Sequence, residues 1–269
     1  MRNAAATLAE ALDCLRAQQG VSLQVVAVDD GSGDDSLAML EQAAQAWPAL
    51  EVIAVGAEGV AAALERGRAV ARAPWIGRMD ADDLCPPRRF RTLLQRAAGS
   101  DLDVVGSRIE SFGHTTEAMD TYLRWQNTLL DHDAIVANRF VESPLAHATA
   151  LLRASTLESV GGWDTRASWS EDVDLWGRLA EAGARFGKVP EVLYQWRLHP
   201  GQATRVDARC SADQMRACKV HYLVRGPLKG RPVALWSVGR TLDTWRAALE
   251  AEGCEVNPST VRPRALLAR

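Results

Sequence analysis

Apolar positions along this 269-residue chain switch repeatedly between a helical period and short continuous runs. Leu8, Leu12 and Leu15 recur at helical spacing behind Asn3, a residue suited to cap a helix start, and Gly20 closes the pattern. Residues 23–28 then form a run that is apolar but for Gln24, read as a strand buried on both faces, which stops at Asp29-Asp30-Gly31-Ser32-Gly33-Asp34-Asp35. A helix follows with Leu37, Leu40, Ala44 and Trp47 on its apolar side, then a strand over 52–55, an alanine-rich helix over 60–73 and a strand over 75–79. This alternation predicts an α/β fold with a mixed, mostly parallel sheet and helices on both faces. Ligands in such sheets bind beyond the carboxyl ends of the strands, where both acidic clusters, after Val28 and after Met79, fall on one edge.

The later pattern predicts a helix over 89–98, a strand over 102–107, a helix over 121–130, a strand over 148–152 and a helix over 155–160 ending at Gly161-Gly162-Trp163-Asp164. Ser168-Trp169-Ser170-Glu171 matches a capping box ahead of a helix carrying Asp172, Leu175, Trp176 and Leu179. Strand pieces over 186–189 and 192–196 flank Pro190, the polar turn Arg197-Leu198-His199-Pro200-Gly201 follows, and a helix covers 212–223. Gly226-Pro227 and Gly230-Arg231-Pro232 mark a boundary, so two units are expected, residues 1–225 and residues 226–269. The second reads as one strand over 233–238, a turn at Gly239-Arg240-Thr241 and a helix over 245–251, too small to bury a core alone. In the first unit a helix comes before any strand, so the sheet is expected to lack an opening strand.

Composition narrows the partners. The chain is 47% hydrophobic and 24% charged with a net charge of −3, so no basic field points to nucleic acid or an anionic membrane. No run of about 18 apolar residues and no leader are read in it, and five cysteines without a C-x-x-C pair suit reduced thiols, so a cytoplasmic protein is expected.

The acidic stretch Asp80-Ala81-Asp82-Asp83, followed by Pro86-Pro87, carries the chemistry. Carboxylates this close repel one another, and a divalent cation such as Mg²⁺ or Mn²⁺, shared with substrate phosphates, would relieve the repulsion. A solvated acidic turn accounts for an isolated D-x-D equally well. The loop from Asp30 to Glu41 does not fit a calcium loop, because Asp35 stands at the place of the central glycine.

Four ordered segments resemble the family 2 glycosyltransferases, which have the GT-A fold. They are Val26-Ala27-Val28-Asp29-Asp30-Gly31-Ser32, Gly59 through Ala71, Ile76 through Arg89, and Gly161-Gly162-Trp163-Asp164 together with Glu171-Asp172-Val173-Asp174-Leu175-Trp176. The resemblance covers roughly residues 3–205. It implies a metal-dependent, inverting transfer of a sugar from a nucleotide-diphosphate donor to a hydroxyl of a saccharide or lipid-linked acceptor, as in surface polysaccharide assembly. Asp30 would bond the nucleotide base. Asp80 would lie near the ribose or reach the metal through water, Asp82 would bind the metal, Asp83 would support it, and His199 would border the diphosphate. Asp172 would be the general base. Peripheral association with the inner face of a membrane is compatible with such acceptors. The sequence departs from the family in its opening strand, in Glu65 where relatives often carry Asn, and in a Rossmann-like appendage without the usual glycine pair.

Simpler roles stand beside these. Asp-Gly at 30–31 is a common turn pair, Asp172 near a helix start favours the helix dipole, and His199 could make a structural hydrogen bond. Trp163 or Trp169 could stack on an acceptor sugar or belong to the core. Two other functional classes remain: a sugar nucleotidyltransferase, which needs a glycine-rich N-terminal loop, and a degenerate, non-catalytic transferase.

Overall fold

The computed structural model describes residues 1–236 and 241–257. Helix α1 (Leu8–Arg16) leads to β1 (Val25–Asp30), α2 (Ser36–Ala46), β2 (Leu50–Val55), α3 (Val60–Val70) and β3 (Trp75–Gly77). Helix α4 (Arg89–Ala98), β4 (Val104–Gly113), α5 (Glu117–Gln126) and α6 (His132–Asn138) follow, then β5 (Leu151–Arg153), α7 (Ala154–Ser159), α8 (Glu171–Glu181) and β6 (Phe186–Leu198). After α9 (Ala203–Val206) and α10 (Ala212–Arg225) come β7 (Val233–Ala234), α11 (Thr241–Ala251) and β8 (Val256–Asn257).

The strands divide into sheets rather than forming one. β1 and β2 are a parallel pair, and a four-stranded sheet runs β3–β5–β4–β6. Within it β4 and β6 are parallel, while β5 is antiparallel to both neighbours. Both Leu151 and Leu152 are buried, and a strand covered on both faces carries no directional signal in its pattern, so its reversal was invisible in the sequence.

Alternate residues of the same strands feed opposite layers. Val105, Leu151, Val189 and Leu193 pack on Phe90 and Leu93 of α4, while Val104, Leu152 and Phe186 pack on Leu157, Leu175 and Leu179 of α7 and α8. Each such fully buried side chain contributes about 1.5–3 kcal/mol.

Among the described residues no ladder joins β1 to β3; two helices span the gap. On one face α1 sets Leu8 and Leu12 against Val25 and Ala27, and Leu15 against Trp75. On the other, Gly67 of α3 faces Val26 and Val28 while Ala61 and Leu64 pack with Ile76. Met1 sits at the carboxyl end of the gap, its amino group 2.7 Å from the carbonyl of Val28 and its own carbonyl accepting from Asp30 N–H at 2.8 Å. That is parallel-strand register opposite Asp29.

Several elements differ from the sequence reading. Asn3 does not cap α1: it has φ 52°, and its Oδ1 accepts from Gly33 N–H at 2.8 Å, fastening the loop after β1. Thr7 is the N-cap residue. The capping box is also out of place, because Ser170 stands at the N-cap and its hydroxyl donates to Asp172 Oδ1 at 2.6 Å. Pro190 does not split β6, since the register with β4 slips between Ser107 and Arg108 where the proline lacks its donor. The tail is β7–α11–β8 with parallel strands, one strand more than expected, and its Leu249 and Cys254 pack on Val220 of α10. The expected turn at Gly239-Arg240 lies outside the described residues.

Lys188 on β6 is 3% exposed, with its amine donating to the Gln126 carbonyl at 2.8 Å. Burial pulls its pKa down to about 7. An unfolded lysine keeps its proton to about pH 10.4, so across this window the unfolded chain binds the proton that the native state has lost, and stability rises with pH. The stability of wild type relative to Lys188→Met should therefore improve between pH 7 and about pH 9.5, by at most about 1.4 kcal/mol per pH unit. Urea unfolding at the two pH values measures this, and an unchanged difference would contradict it.

Candidate active site

The acidic loop begins where β3 ends and is fastened to β6 by its most buried member. Asp83 is 0% exposed; its Oδ2 accepts from the Tyr194 hydroxyl at 2.7 Å and its Oδ1 from the Arg197 backbone N–H at 2.7 Å. Burial, and then the nearby Asp80 and Asp82, push its carboxyl up to about 8. Leu84 and Gln195 exchange both backbone hydrogen bonds beside it, at 3.0 and 2.9 Å. Tyr194 also accepts from Asp80 N–H at 3.2 Å, and Arg197 donates to the Asp82 carbonyl at 2.6 Å while lying 4.6 Å over the Phe112 ring. Arg89 is fully buried between the rings of Phe90 and Tyr194, and one guanidinium nitrogen donates to the carbonyls of both Arg78 and Ala148. Asp83 therefore holds the loop and does not present itself to a metal.

The other two acids face outward. Asp82 Oδ2 lies 3.0 Å from His199 Nε2, and both side chains are partly exposed. Asp80 Oδ1 pairs with Arg78 at 2.8 Å. Among the described residues no three His, Cys, Asp or Glu side chains converge as a ready-made metal cage. One carboxylate and one imidazole still fit a divalent ion that draws its other ligands from diphosphate oxygens and water. Asp30, at the end of β1, is buried, with its two oxygens accepting from the N–H groups of Glu58 at 2.7 Å and Gly59 at 3.0 Å. Its neighbour Gly31 has φ 72°, and a Cβ there would come within 2.9 Å of the Ala57 nitrogen, so only glycine lets the two loops meet this closely.

Asp172 lies in the first turn of α8, bonded by Ser170 at 2.6 Å, by its neighbour's Val173 N–H at 2.8 Å and by Ser143 at 3.4 Å. Burial, and then the charge of Glu171, raise its pKa above the ordinary aspartate value. Arg78 joins this pair to the acidic loop: its burial is outweighed by attraction to Asp80, Glu171 and Asp172, which keeps the guanidinium firmly charged. Trp163 is 3% exposed, donates from Nε1 to His147 at 3.0 Å, and its backbone N–H bonds Glu65 Oε1 at 2.6 Å. It is core, closed to a sugar. Half-buried Trp169 donates to Asp174 at 3.0 Å.

The structure thus gathers Asp80, Asp82, Asp83 and His199 around one loop, with Arg78, paired to Asp80, lying within the field of Glu171 and Asp172. Sequence reasoning passed over Arg78, His147 and Tyr194. Arg78 offered one signal, a cation two positions before the first acid.

Residues 1–161, more than half of the chain, match the model of a family described as Glycosyl transferase family 2. The chain is 26% identical over 238 residues to the succinoglycan biosynthesis protein ExoO of Rhizobium meliloti (strain 1021), covering 85% of this chain and 67% of that protein. It resembles S. aureus TarS 1–349 in complex with UDP, with a TM-score of 0.64 and 15% identity over 83% of this chain and 63% of that one. It also resembles the mannosyltransferase PcManGT from Pyrobaculum calidifontis in complex with GDP-Man and Mn²⁺, with a TM-score of 0.59 and 19% identity over 94% of this chain and 66% of that one. The two structures establish the fold alone. The chain spans about two thirds of the length of each of these proteins.

Tyr194→Phe deletes one of the two donors to the Asp83 carboxyl in a fully buried setting. The expected loss is about 1–3 kcal/mol of stability, read by urea denaturation. A loss under about 0.5 kcal/mol, the range of ordinary surface substitutions, would show that Asp83 does not hold the loop.

Proposed function

The chain belongs to glycosyl transferase family 2, and from that premise we propose that it moves a sugar from a nucleoside-diphosphate donor to a hydroxyl acceptor. The observation that carries the proposal is a partly buried cation, paired with Asp80, that also lies within the field of the acids at the start of α8. Arg78 interacts with Asp80 on the loop after β3 and with Glu171 and Asp172 at the start of α8. A transferase of this kind needs a place for a leaving diphosphate and, beside it, a carboxylate to take a proton. The UDP and GDP-Man in the TarS and PcManGT structures support donors of that class. The succinoglycan biosynthesis named for ExoO supports a part in polysaccharide assembly, and the acceptor is read as a saccharide or lipid-linked hydroxyl.

In this reading Asp172 accepts the proton of the acceptor hydroxyl as its oxygen attacks the anomeric carbon opposite the leaving diphosphate, and the configuration inverts. Its raised pKa suits it to hold that proton. Ser170 and Ser143 orient the carboxylate. Asp82 and His199 are the residues that would hold Mg²⁺ or Mn²⁺, and such an ion supplies positive charge against the departing diphosphate. Asp80 borders the donor with its charge balanced by Arg78, and Asp83 supports the loop from within. Asp30 positions the Glu58–Gly59 loop beside the base as well as facing it. Residues 1–225 are read as the transferase unit and 226–269 as an appendage, of which Leu249 and Cys254 pack on α10. No described helix is long and apolar enough to cross a membrane.

Two measurements test the reading. UDP, GDP, UDP-GlcNAc and GDP-mannose, each with and without Mn²⁺, form a thermal-shift panel; a matching donor at about a hundred times its Kd should stabilise the protein by about 2.7 kcal/mol. The Mn²⁺-dependent part should vanish in Asp82→Ala, and its survival would remove the metal assignment. Asp172→Asn should keep the donor shift yet lose about 10²–10⁴-fold in kcat. Full turnover by that variant would eliminate Asp172 as the base.

A further inference from the structure

His147 lies on a single turn of 3₁₀ helix, His147–Thr149, just ahead of β5, and is 5% exposed. Its ring is enclosed by two indoles, with Trp163 at 5.8 Å and Trp176 edge-on at 5.7 Å. The Trp163 indole donates to His147 Nε2 at 3.0 Å. An indole nitrogen can only donate, so Nε2 must present its lone pair and the neutral ring carries its proton on Nδ1. Nδ1 is buried with no ordinary hydrogen-bond partner, and the carboxylate that faces it, Glu171 Oε1, is 3.5 Å away. Glu171 is the immediate neighbour of Asp172. A second proton, on Nε2, would oppose the indole N–H.

We propose that His147 is a positioning residue for the Glu171–Asp172 pair: Trp163 fixes its tautomer, its Nδ1–H faces Glu171 across 3.5 Å, and Glu171 is thereby kept as the anion while Asp172 is left to take the proton. The inference rests on the reading of Asp172 as the base. Burial alone would raise the Glu171 carboxyl, but His147 and then Arg78 overcome it and hold it below the usual glutamate range. Asp172 is displaced the other way, by burial and by the charge of Glu171. Two adjacent carboxyls are thus driven apart in proton affinity, which gives each a distinct role. The other titratable groups whose charges bear on the pair or respond to it are Arg78 after β3, Tyr122 on α5, Asp207 before and Arg209 and Cys210 within the 3₁₀ turn Ala208–Cys210, and Cys218 on α10. Of these, none offers a polar atom to Nδ1.

The test uses the whole chain and reads protons directly. Long-range ¹H–¹⁵N correlation should show His147 as the Nδ1–H tautomer, and ¹³C-carboxyl titration should show Glu171 losing its proton well below Asp172. His147→Gln keeps an acceptor for Trp163 but removes the group facing Glu171. It should move the Glu171 titration up by about one pH unit or more, a tenfold change in proton affinity, and narrow the gap to Asp172, whose own titration sets the acid limb of donor hydrolysis and should move down as the charge on Glu171 weakens. The probes for that limb are UDP-GlcNAc and GDP-mannose with Mn²⁺ and water as acceptor. His147→Asn, whose amide can reach the Nδ1 position, should return both toward wild type. Should either variant fail to fold, Trp163→Phe frees the tautomer from the other side and should raise Glu171 likewise. An Nε2–H tautomer in wild type, or a Glu171 titration unmoved by these variants, overturns the proposal. Turnover that survives Asp172→Asn would instead remove the base assignment, while the shift of Glu171 would still be read on its own.

Discussion

A carboxyl group taken out of water is costly unless its lone pairs are engaged, and Asp83 imposes that constraint at the centre of this structure. It must be met by Tyr194 and Arg197, which are neighbours on one stretch of β6. The requirement fixes the acidic loop against the sheet, and everything the loop presents inherits that placement. Asp80 takes its backbone bond from Tyr194, Asp82 has its carbonyl held by Arg197, and His199 reaches Asp82 because the chain has just turned out of β6. The outward acids are free to serve a ligand because the inward one is committed.

A second layer of the same logic holds the other half of the site. Arg89, buried beneath two rings, ties the carbonyl of Arg78 to that of Ala148, next to His147. The carbonyls are drawn together in the core while the side chains of Arg78 and His147 both approach Glu171. The charge of Arg78 and the His147 imidazole both favour the anion at Glu171 and leave Asp172 as the less acidic member. The chemistry available at the site thus depends on packing two or three residues behind the acids that carry it.

Much of this was legible in the chain. Helix α4 falls on the expected residues, β1 ends in the expected aspartate pair, and the ordered acidic segments led to the family whose model matches. Local pattern suffices there because each element is written in consecutive residues. The misreadings share a different cause. Asn3 was free to serve Gly33 rather than α1, and Ser170 rather than Ser168 took the helix start, because several polar residues competed for one end and tertiary contacts decided. Tyr194 is 111 residues from Asp83, and Trp163 is 98 from Glu65. No spacing rule reaches that far, so Arg78, His147 and Tyr194 emerge only once β3, β5 and β6 lie together.

The gap between β1 and β3 has a mechanical meaning. Backbone ladders resist sliding, since each displacement breaks a row of hydrogen bonds, whereas packed helices tolerate small shear. The half carrying Asp30 and the half carrying the acidic loop are joined along this line by α1 and α3, and by Thr7, whose hydroxyl donates to the Ala81 carbonyl at 3.0 Å. Helix α3 meets both, with Gly67 facing Val26 and Val28 of β1 and Ala61 and Leu64 packing with Ile76 of β3, so a substitution that displaces this one helix reaches both ends of the candidate site.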